Sequence, residues 1–165
     1  MDRAIVIGCP GSGKSTFARA LSLRTGLELI YLDRMYWNAD RTHVDREEFD
    51  RRLDAALAKP RWIIDGNYQR TLEKRLSACD AVFMFDLGTE ECLAGIRERR
   101  CMPRPDMPWV ETGPDAEFES YVESFRGGQL PVITEALKQH AEKEIHIFRS
   151  RAEADAFLCA LAPVC

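Results

Sequence analysis

The sequence predicts an α/β protein in which a parallel sheet of five strands carries helices on both faces. Short apolar runs alternate with stretches of helical periodicity along most of the 165 residues, the order expected of consecutive strand-helix units. The first apolar run, Ala4-Ile5-Val6-Ile7, passes through a glycine-rich segment into Thr16-Phe17-Ala18-Arg19-Ala20-Leu21, whose apolar spacing is helical.

Taken in order, strands are expected at about 3 to 7, 28 to 32, 61 to 64, 80 to 86 and 144 to 148. Helices fill the intervals. Asp45-Arg46-Glu47-Glu48 has the form of a capping box, opening a helix that runs to about Ala58 and is closed by Lys59-Pro60. Thr89-Glu90-Glu91 caps another, with acids in the first turn where the helix dipole favours them, and Ser150 with Glu153 repeats the device before the last helix. Met102-Pro103-Arg104-Pro105-Asp106-Met107-Pro108, continuing to Pro114, is too rich in proline for regular helix and reads as a mobile flap, a lid of about residues 101–118. With no repeat, linker or low-complexity tract, residues 1–165 read as one domain.

Gly8-Cys9-Pro10-Gly11-Ser12-Gly13-Lys14-Ser15 fits G-x-x-x-x-G-K-[ST] in the strand-loop-helix context that its mechanism needs. Glycines let successive N–H groups turn inward around phosphate oxygens, facing the positive end of the helix dipole. Lys14 would reach the β- and γ-phosphates and Ser15 would ligate Mg²⁺, with Thr16 next on the same turn. The expected ligands are therefore a nucleoside triphosphate, ATP, and Mg²⁺. The length excludes a motor or an elaborate regulated ATPase and suits a small kinase. A net charge of −4, from 23 basic and 27 acidic side chains, gives no general attraction to nucleic acid. Cys9, Cys79, Cys92, Cys101, Cys159 and Cys165 form no C-x-x-C pair, which argues for reduced thiols rather than a disulfide framework or zinc site. No signal peptide or membrane-length apolar run is evident, so a cytoplasmic protein, monomer or homodimer, is expected.

Open parallel sheets bind ligands beyond the carboxyl ends of their strands. There the second strand ends in Asp33, the third in Asp65-Gly66-Asn67-Tyr68 and the fourth in Asp86. Asp65 is the candidate carboxylate for hydrated Mg²⁺, the alternative being a turn role before Gly66. Asp33 would face a second substrate, orienting an acceptor or taking the proton of an attacking hydroxyl, unless it merely caps a loop. Asp86 reads as structural. Arg97, Arg99 and Arg100 close the helix before the flap and Arg104 lies in it; such guanidinium groups can neutralise charge on a transferring phosphoryl group or simply stabilise a helix end. Arg126, before Gly127-Gly128 where the segment after the flap is interrupted, is a phosphate contact or a surface charge. Tyr36 and Trp37 would stack on an acceptor or pack the loop, and Tyr68, Arg41 and Arg70 complete the candidate acceptor pocket. His43, His140 and His146 lack metal-ligand spacing.

These residues resemble the adenylate-kinase-like group of small P-loop kinases over almost the whole chain. Ile64-Asp65-Gly66-Asn67-Tyr68 is similar to the group's third-strand segment, and Phe85-Asp86 with the following helix to its run into the lid. Within the group the pattern is closest to the family labelled DNA topology modulation protein, through Leu32-Asp33-Arg34 with Tyr36-Trp37, Trp62 to Tyr68, Arg104-Pro105-Asp106-Met107 and Phe148-Arg149-Ser150. The resemblance implies a three-layer P-loop NTPase fold with sheet order 2-3-1-4-5, ATP as donor, Mg²⁺, and adenine near the Arg149-Ser150 loop. Gly95 where true adenylate kinases carry a lid-side arginine, Asn67-Tyr68 for their Phe-Pro, and the short lid speak against AMP as acceptor. The expected activity is transfer of the ATP γ-phosphoryl group to a small-molecule acceptor, with Lys14, Asp33, Arg99 and Arg104 catalytic. The competing expectation is a nucleotide-dependent switch or slow ATPase acting on a protein or nucleic-acid partner.

Overall fold

A computed structural model describes residues 1–161; Cys165 lies outside them. In order, the elements are β1 (Arg3–Gly8), α1 (Lys14–Thr25), β2 (Leu29–Tyr31), α2 (Leu32–Tyr36), α3 (Arg46–Leu57), β3 (Trp62–Asp65), α4 (Leu72–Ala78), β4 (Ala81–Phe85), α5 (Thr89–Glu98), α6 (Ala116–Gln139), β5 (Glu144–Phe148) and α7 (Arg151–Ala160). A short 3-10 turn, Gln69–Thr71, leads into α4. The five strands form one sheet in the order β2-β3-β1-β4-β5, every neighbouring pair parallel.

The three inner strands are apolar almost throughout because helices cover them on both faces. Phe17 of α1 meets Phe83, Phe85 and Phe148 of the sheet at ring separations of 5.1, 5.4 and 5.3 Å, and Phe157 of α7 at 6.2 Å, which builds one layer. Met84, Ile145 and Ile147 alternate with those residues and share the opposite face with Leu130 and Leu137 of α6. The register aligns Asp65 with Val6 on one side and Tyr31 on the other. That places the ends of β1, β2 and β3 side by side, where the loops after them converge.

Several local expectations hold and three are corrected. Asp45 accepts a hydrogen bond from the Glu48 N–H at 2.8 Å. Ser150 accepts one from Glu153 N–H at 3.2 Å, while the Glu153 carboxylate accepts from the Arg149 N–H at 2.7 Å. Helix α5, however, is capped by Gly88 and not Thr89: the Glu91 carboxylate accepts from the Gly88 N–H at 3.3 Å. Strand β2 stops at Tyr31, so Asp33 sits in the first turn of the short helix α2. Gly127 and Gly128 do not interrupt the segment after the flap. They lie inside α6, a continuous helix of 24 residues that also contains Pro131.

Candidate active site

The phosphate loop takes its shape from glycine backbone at Gly8, Gly11 and Gly13, whose φ angles are 142°, 83° and 100°. Gly11 has a second constraint. A Cβ there would stand 2.0 Å from the Cys92 carbonyl oxygen, so the first turn of α5 packs directly against the loop. Gly95, one turn further along, is as tight: its Cβ would lie 2.1 Å from the Gly11 carbonyl oxygen and 2.6 Å from an Arg151 nitrogen. This contact explains why residue 95 is glycine where the resemblance led one to expect arginine. Arg151, unremarked in the sequence, donates to the same Gly11 carbonyl at 3.0 Å. Behind the loop the Cys9 thiol donates to the Val122 carbonyl at 4.0 Å, and the neighbouring Cys92 thiol raises Cys9 while itself being lowered from the ordinary thiol range.

A second group of residues holds the loop from the β3 side. The Asn67 side chain clamps the backbone of Gly8 twice, accepting from its N–H at 2.9 Å and donating to its carbonyl at 2.7 Å. Asn67 is itself placed by Arg75, a fully buried arginine on α4. The Arg75 guanidinium donates to the carbonyls of Gly66 (2.8 Å), Asn67 and Tyr68 (3.1 Å). Burial lowers its pKa to about 10, so it remains a cation at neutral pH. Nothing in the local sequence marks Arg75 as different from the surface arginines, since its role depends on α4 packing its side chain beneath the chain reversal after β3.

A cleft of about 1210 Å³ opens over these ends and joins Lys14 and Ser15 of the loop to Asp33, Asp65 and the flap. Asp65 is buried and aimed at this junction, and its Oδ1 has no hydrogen-bond partner. Burial raises its pKa to about 6, against the pull of Lys14 and of the nearby Ser15 hydroxyl, with Asp33 and Asp106 pushing the same way as burial. Asp33 is also raised, first by removal from water, while the Tyr68 hydroxyl donates to its Oδ1 at 2.8 Å and favours the ionised form. Asp106 of the flap is buried beside them, a third carboxylate that sequence reading passed over.

The arginines divide. Arg99 and Arg104 both line the cleft. Arg104 pairs with Asp106 at 3.6 Å and Glu111 at 3.2 Å. Arg99 has a buried Nε without a partner, and burial followed by the charge of Arg104 lowers its pKa. Arg100 lines the cleft but is paired with Glu119 at 2.7 Å, as is Arg97. Arg126 does not line it: the guanidinium bridges Asp86 and the Leu87 carbonyl, each at 3.0 Å, tying α6 to the end of β4. Arg149 borders a separate groove of about 310 Å³ beside α6, and Ser150 is spent on capping α7.

Of the residues expected to form an acceptor pocket, Tyr36, Trp37, Tyr68, Arg41 and Arg70 all line the cleft. Residues 37 to 43 form a small hairpin closed by a Trp37–His43 bridge, and Arg41, at φ 67°, occupies its tip. The flap meets this side. Arg34 donates to the Pro105 carbonyl at 2.8 Å, the Trp37 and Trp109 rings meet edge to face at 5.4 Å, and Arg41 lies 5.9 Å over the Trp109 ring. Among the described residues no cluster of three or more His, Cys, Asp or Glu side chains could hold a metal alone. Ser15 with the unpartnered oxygen of Asp65 instead fits a hydrated Mg²⁺ completed by phosphate oxygens.

Compared with known proteins, the chain has the fold of a P-loop NTPase of the shikimate-kinase type. It superposes on a crystal structure of shikimate kinase from Bacteroides thetaiotaomicron with a TM-score of 0.60, covering 97% of this chain and 96% of that one at 13% identity. A scan against protein-family models and a search of curated proteins found no match. Among the described residues no helix is long and apolar enough to cross a membrane.

Proposed function

We propose that this chain is a small-molecule kinase that moves the γ-phosphoryl group of ATP to an acceptor held beside Asp33. The observation that carries the reading is the single cleft in which the phosphate loop, an unpartnered buried carboxylate, two flap-side arginines and an aromatic chamber meet. The fold shared with a shikimate kinase structure is consistent with it, as is the resemblance to the topology modulation family. The phosphate loop N–H groups and Lys14 would bind and orient the triphosphate. Ser15 and Asp65 would hold Mg²⁺, which when bound neutralises charge on the β- and γ-phosphate oxygens. Arg99 and Arg104 would stabilise the charge spread over the γ-phosphoryl oxygens in the transition state. The acceptor oxygen bonds to the γ-phosphorus as the bridge to the β-phosphate breaks, its electron pair leaving with ADP. Asp33 takes the proton of the acceptor hydroxyl.

The switch reading needs a water-positioning residue and a partner surface, and no observation favours either. The test is labelled ATP with Mg²⁺ and a panel of acceptors, run with the parent protein and Lys14→Ala. Transfer by the parent, with Lys14→Ala folded and at least ~10²-fold slower, is expected. A folded Lys14→Ala protein of undiminished activity would remove the claim.

A further inference from the structure

Three consecutive residues after β3 reach both the loop after β1 and the Asp33 carboxylate. Gly66 packs against α2, where a Cβ on it would stand 2.9 Å from the Leu32 Cβ, next to Asp33. Asn67 holds the loop at Gly8, accepting from its N–H at 2.9 Å and donating to its carbonyl at 2.7 Å. Tyr68 turns the other way. Its hydroxyl donates to Asp33 Oδ1 at 2.8 Å, and its ring meets those of Phe49 at 5.1 Å and Tyr36 at 5.4 Å. The same short reversal therefore touches the backbone that would cradle a triphosphate and the carboxylate that would face an acceptor.

This reversal does not hold itself. Gly66 and Tyr68 have φ angles of 137° and 35°, and the second is a conformation that strains any residue with a side chain. Arg75 supplies the support. It is fully buried on α4, and its guanidinium donates to the carbonyls of Gly66 at 2.8 Å, of Asn67, and of Tyr68 at 3.1 Å, one bond to each of the three residues that make the contacts. A buried cation is costly, and an apolar side chain would fill the space under the reversal at lower cost. What Arg75 adds is direction, since its rigid planar fork fixes three peptide units relative to one another. Resting on the phosphotransferase reading for its Asp33 arm, we infer that Arg75 is a positioning residue that sets both partners of the transfer at once, the nucleotide through Asn67 and Gly8, the acceptor through Tyr68 and Asp33.

The experiment reads the two arms separately on proteins whose folding is verified by thermal melts. Nucleotide affinity is measured by calorimetry with Mg²⁺ and β,γ-imido-ATP, and kcat at saturating γ-labelled ATP with whichever of adenosine, AMP, glucose and glycerate takes label. Asn67→Ala should weaken nucleotide binding by about tenfold or more, as loss of two hydrogen bonds to the loop predicts, with a smaller change in kcat. Tyr68→Phe should show the reverse split, lowering kcat by about tenfold with a smaller change in affinity. Arg75→Met should lose both, and Arg75→Lys, which keeps the charge but not the fork, should recover part of each. A folded Arg75→Met protein that melts earlier yet keeps the parent affinity and kcat overturns the inference, because support of the fold alone would cost stability only. If Arg75→Met does not fold, the other three variants decide, and Asn67→Ala or Tyr68→Phe with both readouts at parent values overturns it. Absence of label in every acceptor removes the phosphotransferase and the Asp33 arm with it, whereas the affinity measurement needs no transfer and upholds or overturns the Asn67 arm by itself.

Discussion

Replacing Asp65 by Asn should make the ligand-free protein more stable while spoiling its response to Mg²⁺. The carboxylate is 4% exposed and its pKa is raised from 3.8 to about 6, chiefly by burial. The folded state therefore holds this proton to higher pH than the unfolded chain does. Between about pH 4 and 6 the folded state binds more protons, so stability falls as pH rises through that window, and the full cost is present above it. A difference of about 2 units corresponds to ~3 kcal/mol. Asn keeps the shape and removes the charge, and with it the repulsion from Asp33 and Asp106, but it also forfeits the favourable influence of Lys14 and of the nearby Ser15 hydroxyl on a carboxylate. The figure of ~3 kcal/mol is thus a ceiling, worth at most about 6–12 °C in a domain of this size. Thermal melts of both proteins from pH 4.5 to 8, without nucleotide or metal, should show a gap in favour of Asp65→Asn that opens as pH rises to about 6 and then stays level. Adding Mg²⁺ with an ATP analogue should stabilise the parent more than the variant, since the metal needs the ionised form. A gap that ignores pH, or a variant less stable at pH 7.5 with an intact Mg²⁺ response, would refute the assignment.

Gly95→Ala should impair nucleotide binding from a position outside the motif, because its Cβ would press to 2.1 Å from the Gly11 carbonyl oxygen; titration with an ATP analogue should show at least ~10-fold weaker binding, and parent-like affinity would mean that α5 moves away freely. Arg104→Ala combined with Arg99→Ala should lower kcat more than ATP affinity if, as proposed, both guanidinium groups act on charge that develops during transfer. An equal loss in both would reassign them to ground-state binding.

The loop after β1 was legible because its backbone shape is written in contiguous residues: the glycine spacing dictates that shape, and Lys14 and Ser15 follow in fixed register. The sheet was legible too, since strands covered on both faces must be apolar throughout, and the end of the Trp62–Ile64 run placed Asp65 at the rim. The partners of the charged residues were not legible. Arg75, Arg99, Arg104 and Arg126 are equivalent as sequence, yet packing buries Arg75 beneath three carbonyls, leaves Arg99 with an unpartnered Nε, and sets Arg126 on Asp86, 40 residues away. The Asn67 clamp on Gly8 spans 59 residues, and only the alignment of β3 beside β1 creates it. A side chain's charge is a property of the residue. Whether that charge is free to meet a ligand depends on the elements packed around it, and in this cleft the flap and the hairpin decide it.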